Sequence, residues 1–140
     1  MRVDIWSDIG CPWCYVGKRR FENALAAFEH RDDVEVVYHS FELDPTTDKT
    51  VPVTELLQKK FGMSQAQVET AEKRLEDTAV AEGLAYDHGR HAGNTFDFHR
   101  LAHWAAEQGK QQALLDHAYA VHFGEAKSVH TVDALVELAA

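Results

Sequence analysis

The spacing of apolar residues changes character twice within the first 41 positions. Val3, Ile5 and Trp6 form a short, nearly continuous apolar run, which fits a strand without a wet face. Ser7 to Gly10 reads as a turn. From about Pro12 to His30 the spacing is helical: Phe21, Leu25 and Phe28 fall at i, i+4 and i+7, with Ala24 on the same face. On that reading Lys18, Arg19 and Arg20 lie outward as a solvated face. Arg31-Asp32-Asp33 breaks the pattern, and Val34 to Phe41, rich in β-branched and aromatic residues, predicts a second strand. Strand, helix and strand in such short succession predict a right-handed βαβ crossover with parallel strands.

Beyond Glu42-Leu43-Asp44-Pro45 and the loop Thr46 to Val51, the pattern becomes a succession of short helices. Pro52 opens the first, with Leu56, Leu57 and Phe61 inward and Gly62 as terminator. Ser64 and Gln67 form a capping-box start for a helix whose stripe runs Val68, Ala71, Leu75, Ala79 to Gly83. Leu84 to Gly93 reads as loop, with Leu84-Ala85-Tyr86 a candidate short strand. Asn94 with Asp97 caps a helix carrying Leu101 and Trp104, ending at Gly109. A further helix spans Gln111 to Phe123 with Leu114, Leu115, Ala118 and Tyr119 inward. A last one follows Thr131 and includes Leu135 and Leu138.

Composition adds limits rather than detail. The 140 residues, 45% hydrophobic and 26% charged, suit one ordinary globular core. No apolar run approaches the roughly 20 residues of a membrane span. Met1-Arg2-Val3-Asp4 enters a strand pattern directly, without an apolar leader, which points to a cytoplasmic protein. The net charge of −9 argues against a nucleic-acid partner.

Candidate chemistry concentrates at Cys11-Pro12-Trp13-Cys14, which holds both cysteines of the chain. A disulfide across so short a loop is a poor staple, so the pair points to catalysis or metal binding. Cys11 falls at a helix N-terminus, where unpaired N–H groups and the macrodipole favour a thiolate. Pro12 suits the first helical position. Cys14, one turn on, is placed to attack a mixed disulfide formed at Cys11. Trp13 should sit on an exposed turn, so it reads as a contact surface for substrate. A zinc site at the cysteines would need two more ligands; histidines could supply them, but the nearest, His30 and His39, lie across the predicted helix and strand. A separate metal reading rests on His99 and His103, four apart on one helix face and preceded by His88 and His91, although that spacing often arises by chance and no H-E-x-x-H frame is present. They are better read as lining the groove between the helical region and the βαβ part, or as surface. Phe96, Phe98 and Trp104 read as core of the helical region.

Ser7-Asp8-Ile9-Gly10-Cys11-Pro12-Trp13-Cys14-Tyr15-Val16-Gly17-Lys18-Arg19 resembles the opening of DsbA-like thioredoxin-fold oxidoreductases, specifically their FrnE-like branch. Phe41-Glu42-Leu43-Asp44-Pro45 resembles the segment leaving the second strand in that branch. Asn94-Thr95-Phe96-Asp97-Phe98-His99-Arg100-Leu101 resembles its helical-insertion signature. The resemblance implies an α/β fold: residues 1–45 as the βαβ start of a thioredoxin-like domain, and residues 46–140 as a large all-helical insertion. It also implies Cys11 as attacking thiol, Cys14 as resolving thiol, and Pro12-Trp13 as the dipeptide that tunes the potential. A related branch, the hydroxychromene-carboxylate isomerases and kappa-type glutathione transferases, has serine at the first cysteine position. Both cysteines are present here, which favours redox chemistry.

Family members continue into a strand entered through a cis-proline, then a hairpin and a final helix. Pro12, Pro45 and Pro52 are the only prolines, and none fits that part. The expectation is a fold incomplete at its C-terminus, a fragment, with a strand-exchanged homodimer as the rival account. The expected activity is dithiol–disulfide exchange or isomerisation on a disulfide-bearing protein or a small-thiol substrate. It would need no bound cofactor and be recycled by glutathione or another dithiol protein. The alternatives are a glutathione- or small-ligand-binding thioredoxin-like protein with a redox-sensing cysteine pair, and a metal-responsive thiol protein.

Overall fold

Arg2–Ser7 (β1) and Glu35–Ser40 (β2) lie parallel, in register from Arg2 opposite Glu35 to Ser7 opposite Ser40. Pro12–Ala26 (α1) joins them, so the βαβ start expected from the pattern is present. These relations come from a computed structural model that describes residues 1–140. A second ribbon, not foreseen, pairs Val51–Pro52 (β3) with His91–Ala92 (β4) antiparallel. Two residues per strand are too few to register as an alternating pattern. The candidate strand at Leu84-Ala85-Tyr86 is instead irregular chain, and Leu84 is simply a core residue.

The face that α1 buries differs from the expected one. Tyr15, Val16 and Lys18 are buried, whereas Phe21 and Leu25 are half-buried and Ala24 and Phe28 exposed. The two-stranded sheet is too narrow to cover the far half of the helix. Its first turn packs instead against later helices, with the Tyr15 ring 5.1 Å from Phe123 and 5.8 Å from Tyr119. Lys18, expected outward, is the sharpest correction. Its ammonium meets Glu22 and Asp116 and lies 5.7 Å from the Tyr38 ring centroid, tying α1 to the helical region. Arg19 and Arg20 keep to the surface side and pair with Glu22 and Glu82.

Val53–Phe61 (α2) ends at Gly62, whose φ of 64° is the left-handed conformation a terminator needs. Leu56 and Leu57 are half-buried, but Phe61 is exposed, since the helix stops before that turn reaches the core. Gln65–Ala81 (α3) opens with the expected capping box. The Gln67 N–H donates to Ser64 Oγ over 3.2 Å, and the Ser64 N–H donates to Gln67 Oε1 over 2.8 Å. Val68, Leu75 and Ala79 are buried as expected. So is Glu72, which Arg90 binds through two hydrogen bonds of 2.7 and 3.0 Å.

Phe96–Glu107 (α4) turns Phe98, Ala102 and Ala105 inward at i, i+4 and i+7. Phe96 and Trp104 fall on its other side and are exposed, which corrects their assignment to the core. Asn94 does serve the helix start, accepting the Phe96 N–H at 2.9 Å, while Asp97 pairs with Arg100 instead. Gln111–Tyr119 (α5) passes into a π-helical turn at Ala120–Gly124, where a continuous α-helix was expected. That turn lets Val121, His122 and Phe123 all point inward, which no regular helical face allows. Val132–Ala139 (α6) starts at Thr131, whose Oγ1 accepts the Ala134 N–H at 3.3 Å. Ile9, Tyr15, Val16 and Tyr38 share one buried cluster with residues of α3 to α6, so the helical region packs directly behind the cysteine turn. No helix is long and apolar enough to cross a membrane.

Candidate active site

Cys11 sits at the N-cap of α1 with φ −94° and ψ 113°, and Pro12 takes the first helical position. Its carbonyl accepts the Cys14 N–H at 3.1 Å and the Tyr15 N–H at 3.3 Å, which starts the helix. The turn before it is closed by the Cys11 N–H donating to the Asp8 carbonyl at 3.1 Å. Both cysteines are free and half-buried.

The two thiols have opposite proton affinities. A hydrogen bond with the Cys14 thiol does most to lower Cys11, from the ordinary 9.0 to about 6. Burial opposes this, the N–H groups of Cys14 and Trp13 assist it, and the Asp8 charge works weakly against it. Cys14 moves strongly upward, because it donates to the Cys11 sulfur and is itself desolvated. One sulfur is therefore an anion near neutrality while the other keeps its proton.

Asp8 is the hub beneath this turn and is 3% exposed. Its carbonyl holds the Cys11 N–H and also accepts the Tyr119 hydroxyl at 3.1 Å. Its carboxylate accepts the Leu43 N–H at 2.8 Å and faces His99 Nε2 at 3.2 Å. Burial alone would push this carboxyl up, but the bonds from His99, Leu43 and Thr95 outweigh it and hold the carboxyl below its ordinary value. An ionised carboxylate only accepts, so the proton lies on Nε2 of His99. The exit of β2, the start of α4 and the end of α5 thus converge on the residue three before Cys11. Asp8 was legible only as a turn residue, and Tyr119 only as helix core. The one signal for the pair was His99 on the groove-facing side of its helix.

Of the residues the sequence singled out, Cys11, Pro12, Trp13 and Cys14 stand together. Trp13 is 49% exposed and walls a groove of about 550 Å³ against α3. His99 and His103 do not act as a pair: His103 is exposed and meets Ser40 Oγ at 3.0 Å, while His99 is committed to Asp8. No three His, Cys, Asp or Glu side chains converge as a metal-ligand set.

A family model described as DSBA-like thioredoxin domain matches residues 2–140. The crystal structure of a probable DsbA oxidoreductase from Streptomyces coelicolor superposes with a TM-score of 0.95 at 57% identity, covering 99% of this chain. The uncharacterized protein YwbO of Bacillus subtilis (strain 168) is 25% identical over 139 residues. The chain spans 61% of the first and 64% of the second, less than two thirds of either.

Proposed function

The chain belongs to the DSBA-like thioredoxin domain family, and from that premise we propose that it exchanges thiols and disulfides through Cys11 and Cys14. The observation that carries this reading is the placement of Cys11 at the N-cap of α1 with Cys14 one turn on, its N–H on the Cys11 carbonyl at 3.1 Å, an arrangement that favours a thiolate at Cys11. In the reducing direction the Cys11 thiolate attacks one sulfur of a substrate disulfide. A Cys11–substrate disulfide forms, and the other substrate sulfur leaves as a thiolate. Cys14 then gives up its proton and attacks Cys11 Sγ, closing the intramolecular disulfide and expelling the second substrate thiolate. The substrate gains two electrons and the pair loses two, so an external dithiol must restore it. No bound cofactor takes part.

The Asp8 hub fixes the turn on which this depends, and the aromatic stack of Tyr15, Tyr119 and Phe123 supports it from behind. Insulin reduction with dithiothreitol as recycling dithiol tests the proposal. Cys11→Ser is expected to abolish turnover, and Cys14→Ser to accumulate a mixed disulfide at Cys11. Unchanged turnover in the Cys11→Ser protein refutes it.

A further inference from the structure

Resting on the thiol–disulfide reading, we infer that the groove between Trp13 and α3 binds the body of small organic disulfides carrying a carboxylate, which Arg74 receives. Trp13, Met63, Ala71 and Leu75 give the groove an apolar lining, and Thr70 adds a hydroxyl. Its volume of about 550 Å³ suits a small molecule. Arg74 is the one charged residue lining it.

Three facts make that charge selective. The chain is strongly acidic, at −9, and most of its cations are committed to carboxylates. Arg74 has no carboxylate partner at ion-pair distance, although the neighbouring cations Arg20 and Lys73 pair with Glu82 and Asp77. Arg20, Lys73 and Asp77, with Glu69, line an adjoining groove that shares Arg74 as its rim, so the unpaired guanidinium sits where the two grooves meet. A guanidinium offers a planar fork that matches a carboxylate. Trp13 is two residues from Cys11, so a ligand packed on the indole brings its sulfurs toward the thiolate while its carboxylate reaches along α3. The Cys11 thiolate then displaces one half as a thiolate, and Cys14 releases the other, as described above.

The test compares two aromatic disulfides, the anionic dithiobis(nitrobenzoate) and the smaller, uncharged dithiodipyridine, each reduced in a single turnover by the reduced full chain, and reads only how their rate ratio changes between variants. Arg74→Gln is expected to lower the ratio of the anionic rate to the uncharged rate about tenfold, the scale of losing one charge-assisted bond. Arg74→Lys should restore part of it, and added salt should shrink the wild-type ratio. Arg74 carries no tertiary bond through its side chain, so the variants are expected to fold. A ratio unchanged by Arg74→Gln overturns the inference while leaving the thiol chemistry intact. Failure of both disulfides to react, in wild type as in a Cys11→Ser control, overturns the thiol reading and the inference with it.

Discussion

His99 donates its Nε2 proton to Asp8 Oδ1 over 3.2 Å, joining residues 91 positions apart beneath the cysteine turn. The bond links α4 to the residue whose carbonyl holds the Cys11 N–H. His99→Ala leaves a buried carboxylate short of a donor, at a cost of about 1–3 kcal/mol at pH 7 in urea unfolding. His99→Gln, which keeps an N–H donor, is expected to recover part of that. Because the Asp8 carboxyl is held below its ordinary 3.8, its contribution is full above that value and is lost as pH falls through the lower, folded-state one. His99→Ala should therefore flatten the acid limb of stability. An unaltered limb would mean that the bond does not hold the carboxylate.

The Cys14 thiol is the largest cause of the low Cys11 proton affinity. Cys14→Ala is accordingly expected to move the midpoint of Cys11 alkylation up from about 6, and Cys14→Ser, which keeps a hydroxyl donor, to move it less. The same depression makes the reduced fold gain stability as pH rises from about 6 toward the ordinary 9.0. If the alanine variant titrates like wild type, the helix terminus alone sets the thiolate.

Two buried cations should respond differently to replacement by methionine. Arg90→Met leaves Glu72, with only 4% of its side chain exposed, without its paired charge and with the Tyr86 hydroxyl at 3.1 Å as its remaining close donor, and should cost about 3 kcal/mol. Lys18→Met leaves Glu22 and Asp116 with 36% and 59% of their side chains exposed, so water can receive them. Its cost should be about 1 kcal/mol or less. Chemical denaturation of both variants checks the order, and the reverse order would contradict the burial assigned to each pair.

His122, buried in the π-helical turn, is pushed by burial from the ordinary 6.5 to about 4, and its Nδ1–H donates to the Lys127 carbonyl at 3.2 Å. A histidine lowered in the fold binds its proton more readily when unfolded. Stability should thus fall as pH drops from 6.5 toward 4, by up to about 1.4 kcal/mol per pH unit. His122→Gln, retaining a donor, is expected to reduce that slope, leaving the share of His130, which burial also lowers, while sparing the more acidic limb set by Asp8. Thermal melts across pH 4 to 7 decide it.

The βαβ start, the capping box, the helix terminators and the cysteine pair were legible in the sequence because each rests on local rules. Ser64 with Gln67, and Gly62, state their own conformation, and Val3 to Trp6 their extended form but not their burial. β1 alternates half-buried and exposed positions, and Trp6, expected on a strand without a wet face, is 61% exposed because the two-stranded sheet leaves that side uncovered. Lys18, Phe61, Phe96 and Trp104 were misread because burial depends on which neighbour a helix meets. A stripe of apolar residues does not reveal that a lysine will be covered by an aspartate 98 positions away. Asp8 was hidden for the same reason: its partners Leu43, His99 and Tyr119 come from three separate elements, and only the fold brings them to one carboxylate and one carbonyl. The resemblance to DsbA-like thioredoxin-fold proteins was borne out by the match over residues 2–140, at the level of the family and not of its FrnE-like branch.

The proposed exchange needs Cys11 as the reactive anion and Cys14 as its proton-bearing partner. Timed alkylation of the reduced protein, resolved by residue in a mass spectrometer and repeated from pH 4 to 9, tests it most directly. Modification should appear first at Cys11, with its rate rising through a midpoint near 6, while Cys14 stays unmodified. Equal labelling of both cysteines, or a Cys11 midpoint near the ordinary 9.0, would contradict it.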